Sequence, residues 1–79
     1  MRCLTIHCLN DAACSVLDEQ GHHVGNLKLI NAVWKFKAIG YDERGNVVPG
    51  GGPLTERHNT LFATLDLADI NARLLTEGP

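Results

Sequence analysis

Apolar and polar residues alternate with a period of two through most of the first two thirds of the chain, the pattern of strands that bury one face. In "RCLTIHCL" Leu4, Ile6 and Cys8 alternate with Cys3, Thr5 and His7. Asn10-Asp11 is a turn signal, and "ACSVLD" follows as a second short strand. "HHVGNLKLI" predicts a third, with Leu27 and Leu29 on one face and Lys28 on the other. The clearest strand is "VWKFKAIGY", rich in the β-branched and aromatic types that suit a pleated surface. Its alternation turns Trp34, Phe36 and Ala38 to the core and Lys35 and Lys37 to water.

Two of the connections share a phrase. "LDEQGHHVG" and "YDERGNVVPG" both read apolar-Asp-Glu-x-Gly-x-x-Val, with Asp18 and Asp42 24 residues apart. Each lies between strand-like runs. Gly21 and Gly45 can take the positive φ that a tight hairpin needs, and the Asp-Glu pairs keep the tips solvated. The phrase therefore predicts two hairpin turns. A calcium loop would need oxygen ligands at alternate positions, which "DEQG" lacks.

Beyond residue 48 the alternation stops. "VPGGGPLT" has three glycines between Pro49 and Pro53, which predicts an exposed loop. A phosphate cradle would need a following helix and a Lys, and "GGGPLTER" offers only Thr55 and Arg57. Residues 54–65 fit both a strand (Leu61, Ala63, Leu65) and a helical stripe (Leu54, Leu61, Phe62, Leu65), and the choice stays open. Asp66 is a good helix N-cap with Asp69 in the first turn; Leu67, Ile70 and Leu74 form one face, and Gly78 closes the segment. The expected class is α+β, mainly β: one domain over 1–79, a small antiparallel sheet of hairpins with one C-terminal helix packed on a face.

With 79 residues, 44% of them apolar and 20% charged, the chain is globular but short of core. Small domains compensate with disulfides, a metal or a partner chain. The net charge of −2, split as +1 over residues 1–40 and −3 over 41–79, leaves no footprint for duplex nucleic acid. No apolar run approaches the roughly 18 residues of a membrane span. The N-terminus is too broken in hydropathy for a secretion signal, so a cytoplasmic location is expected. Three cysteines cannot all pair, and the expectation is reduced thiols.

Four groups of residues could carry chemistry. Cys3, His7, Cys8 and Cys14 are soft metal ligands, but none has knuckle spacing, and alternation puts His7 and Cys8 on opposite faces. Cys8 and Cys14 are expected to meet across the Asn10-Asp11 hairpin as buried thiols, with a metal or a regulated disulfide as the alternatives. His22 and His23 are adjacent and point apart, so they read as a solvated hairpin shoulder. Thr55, Glu56, Arg57, His58 and Asn59 are the densest run of hydrogen-bonding groups and the expected binding segment. No nucleophile is placed beside His58, so no catalytic residue, cofactor or metal is expected. Lys28, Lys35 and Lys37 beside an aromatic strand offer a single-stranded nucleic-acid platform as the alternative. Against it, such platforms use several exposed aromatics, and three of the four here are wanted in the core.

"WKFKAIGYDERGNVVPGGGPLTERHNTLF" resembles a segment of small bacterial proteins of unknown function, and that resemblance implies no activity. The function expected is a non-enzymatic interaction module with a protein partner, contacting through the Gly-rich loop and "LTERHN". A single-stranded nucleic-acid binder is the second reading and a small enzyme or ligand-binding protein centred on His58 the third. "RCLTIHCL", guarded only by Arg2, is expected to be a free sheet edge through which two copies pair.

Overall fold

A computed structural model describes residues 3–75; Arg2 and Gly78 lie outside the described residues. The sheet is antiparallel throughout. Its strands are β1 (Thr5–Asn10), β2 (Ala13–Leu17), β3 (His23–Ile30), β4 (Val33–Tyr41), β5 (Val47–Pro49) and β6 (Leu61–Phe62). They run in the order β1-β2-β3-β4-β5, with β6 also pairing β4. A 3-10 turn, Thr55–Arg57, precedes β6, and the helix α1 (Leu67–Leu74) ends the described chain. The fold is α+β and mainly β, as the alternation implies.

The two Asp-Glu-x-Gly phrases make the same turn twice. Asp18 Oδ1 accepts from the backbone N–H of Gln20 and His22, both at 2.9 Å. Asp42 Oδ1 accepts from Arg44 at 2.8 Å and Asn46 at 2.9 Å. Gly21 and Gly45 have φ of 84° and 82°. In both loops the Asp carboxylate gathers the backbone donors that the turn leaves unpaired. The N–H of His22 and that of Asn46 are the main reasons the two carboxyl groups titrate below their ordinary value.

One sheet face carries the core: Leu4, Cys14, Val16, Val24, Leu27, Phe36 and Ala38 pack with Leu54, Phe62, Ile70 and Leu74. Val24 and Leu27 share this face although three residues apart, because the register slips between Val16 and Leu17 and Val24 is the extra residue of a bulge. Asp66 caps α1, accepting from Ala68 N at 3.0 Å and Asp69 N at 3.3 Å. Of the expected stripe, Ile70 and Leu74 are buried, but Leu67 in the first turn is exposed. Asn71 does what no pattern announces. Its side chain accepts from Leu4 N at 2.6 Å and donates to Leu4 O at 3.1 Å, pairing with the start of β1 as a neighbouring strand would.

Two expectations are corrected, one is refined and one open choice resolves. Cys8 and Cys14, expected as buried thiols, form a disulfide. Register places them directly opposite, and the two backbones approach closely there, with a Cα–Cα distance of 3.8 Å. Cys8 is exposed and so is the free Cys3, and the cysteines therefore no longer argue for a reducing compartment. Trp34 faces the core as expected but packs against it only half-buried, whereas Phe36 is fully buried. The open choice over residues 54–65 resolves into a 3-10 turn and a two-residue strand. Lastly, the Gly-rich loop is not simply exposed. Gly50 N donates to Ala38 O at 2.8 Å, and a Cβ on Gly40 would lie 2.5 Å from Gly52 N. Glycines are needed because two backbones touch.

The molecule measures 35 × 31 × 19 Å, and the short dimension holds two layers, sheet and helix. Among the described residues no helix covers the second face over β2, β3 and the first half of β4, while nearer β5 Ile39 on that face is buried.

Candidate binding surface

The segment Thr55–Asn59 is built into the fold. On one side β4 pairs with β3; on the other it meets β6 and β5 with a gap between them. Residues 58–60 fill that gap. Asn59 N donates to Phe36 O at 2.7 Å, Phe36 N to Thr60 O at 2.8 Å, and Ala38 N to His58 Nδ1 at 3.1 Å. The imidazole thus stands where a strand carbonyl would, and with Nδ1 accepting, the neutral ring carries its proton on Nε2. Thr55 Oγ1 donates to Gly50 O at 2.5 Å, and Asn59 Oδ1 accepts from Lys37 Nζ at 2.7 Å. Thr55, His58 and Asn59 therefore have side-chain partners within the fold. Glu56 is exposed, and Arg57 is half-buried.

This role for His58 is open to test. His58→Ala leaves the buried Ala38 N–H without an acceptor and should cost about 1–2 kcal/mol. His58→Asn, which can return an oxygen near the Nδ1 position, should recover part of that loss. Equal melting temperatures for wild type and both variants would show that the bond contributes nothing.

The other histidines stay apart. His22, on the turn, lies 3.5 Å from Asp18 Oδ2, while His23 Nε2 meets Asn26 Oδ1 at 2.8 Å. Among the described residues no three His, Cys, Asp or Glu side chains come together to hold a metal.

The uncovered face has a definite pattern. Residues paired directly across an antiparallel sheet share a face, and the register sets Ala13, Lys28, Lys35 and Leu61 in one row across β2, β3, β4 and β6. Beside it run Ser15, Asn26 and Lys37 on one flank and Ile30 with Val33 on the other. Lys28 and Lys35 thus stand directly opposite each other, an arrangement that costs a few tenths of a kcal/mol in a sheet. Among the described residues neither has a carboxylate partner. No Asp or Glu occurs in β1–β4. Among the described residues the acids sit in turns, in the 3-10 segment and around α1, so every formal charge that the strands carry on this face is positive.

Sequence reasoning identifies these three lysines but not their aliphatic neighbours. Ile30 and Leu61 are 44% and 50% exposed on the lysine face. The pairing that brings Leu61 beside Lys35 spans 26 residues and rests on a two-residue strand, too short to leave a periodic signal.

No family model matches the chain, and no curated protein or solved structure matches it either.

Proposed function

We propose that the chain is a small non-enzymatic interaction module that takes an anionic partner on the open face of its sheet. The observation that carries this reading is the row through Lys28 and Lys35: two directly opposed cations, without carboxylate partners among the described residues, on a face whose strands carry only positive formal charges. Opposed like charges weaken a sheet slightly, and an incoming anion removes the repulsion. The Thr55–Asn59 segment supports the face from the edge, since Asn59 holds Lys37 in place.

Binding of labelled poly-glutamate, followed by fluorescence anisotropy, tests it. Affinity should fall steeply as salt is raised, and Lys28→Ala with Lys35→Ala should abolish binding without lowering the melting temperature. Salt-independent binding, or binding undiminished in the double variant, would defeat the proposal.

A second copy of the chain is the occupant we propose for the outer edge of β1. Asn71 closes that edge at Leu4, but the N–H and C=O of Ile6 and Cys8 point away from β2. The strand carries no formal charge to repel its twin, and Leu9 is 67% exposed. Sedimentation equilibrium at tens of micromolar should give twice 8.6 kDa; the monomer mass at every concentration would rule pairing out.

A further inference from the structure

From the same face we infer the partner's chemistry: an acidic protein segment in which carboxylates alternate with large aliphatic side chains. This rests on the proposed anion-binding face and adds to it the residues between which the lysines stand. Lys35 has Lys28 on one side and Leu61 on the other, and the next row is Ile30 with Val33. Cation and aliphatic side chain therefore stand side by side, about 5 Å apart across strands within a row and about 7 Å apart from one row to the next. A ligand that is all charge would leave Ile30 and Leu61 in water. One with apolar side chains between its carboxylates covers them while its charges meet the lysines.

Nucleic acid fits this patch less well. Bases bind single-strand platforms by stacking on aromatic rings, and no aromatic side chain stands beside Lys28 or Lys35 in the sheet register. The half-buried Trp34 and the buried Phe36 belong to the opposite face. Tyr41 is exposed, but it adjoins Asp42 and Glu43, whose charges repel a phosphate backbone.

The test uses the full chain and three labelled probes of equal net charge: a synthetic peptide alternating Glu and Leu, one alternating Glu and Ser, and oligo-thymidylate. The Glu/Leu peptide should bind roughly tenfold more tightly than the Glu/Ser peptide, the gain expected from covering one exposed aliphatic side chain. The paired substitution Ile30→Thr and Leu61→Ser should erase that difference while leaving Glu/Ser binding intact, with circular dichroism confirming the fold. Equal affinity for the two peptides overturns the aliphatic part of the inference and spares the anion face. Tightest binding by oligo-thymidylate overturns it in favour of nucleic acid. Failure of all three probes at low salt overturns the anion face itself, and the inference with it.

Discussion

Phe36→Ala should remove most of the domain's stability at room temperature. The side chain is 0% exposed at the centre of the sheet, with Leu27 opposite it on β3 and Ile70 and Leu74 of α1 in the same cluster. Truncating a buried Phe costs about 3–5 kcal/mol in lost transfer energy and cavity. A domain of this size holds a total near the low end of 5–15 kcal/mol. The same ring also covers Gly25, where the absence of a side chain lets it lie against the backbone of β3. Urea denaturation followed by circular dichroism measures the loss. Trp34→Ala is the internal control: truncating the half-buried indole should cost about 1–3 kcal/mol, clearly less than Phe36. If Trp34→Ala proved the more damaging, the core would be centred elsewhere.

The second large effect is loss of the Cys8–Cys14 disulfide. The bond closes a short hairpin, a sequence separation of 6, so chain entropy predicts a contribution of roughly 2–2.5 kcal/mol, at the low end for disulfides. It holds β1, which has only β2 for a strand neighbour, to the sheet. Cys8→Ser removes the bond while leaving Cys14 packed in the core, and its melting temperature should fall by several degrees. Burial also shapes the kinetics. A thiolate attacking the exposed Cys8 sulfur must expel Cys14, which is 1% exposed among Val16, Leu27 and Phe36, and an apolar site makes a poor home for a departing thiolate. Reduction by dithiothreitol should therefore be slow in the folded protein and speed up in mild denaturant, as the hairpin opens. Fast reduction under native conditions, or an unchanged melting temperature in Cys8→Ser, would contradict this.

The sheet is legible in the sequence because β1, β2 and β4 keep a period of two over five to nine residues, β3 does so beyond its bulge, and Gly21 and Gly45 mark two of the turns. The helix is legible from Asp66 onward for a similar reason, a capping residue followed by a stripe. What escapes the sequence are side chains that replace backbone. His58 accepts from Ala38 and Asn71 pairs with Leu4 across separations of 20 and 67 residues, and neither leaves a local pattern. "LTERHN" therefore reads as free polar chemistry when much of it completes the edge of β4. Pairing of the cysteines was within reach of the register argument; what the pattern cannot supply is the oxidation state. For the lysine face, alternation gives the lysines and only the β4–β6 register gives Leu61.

Amide chemical-shift mapping tests the central claim most directly. Titrating the isotopically labelled chain with unlabelled Glu/Leu peptide should move the resonances of residues 28–30, 33–37 and 61, and leave those of the Gly-rich loop and Thr55–Glu56 in place. Shifts concentrated in residues 50–57, with Lys28, Lys35 and Leu61 unmoved, would mean that the partner binds the loop and that the open face of the sheet is only solvated surface.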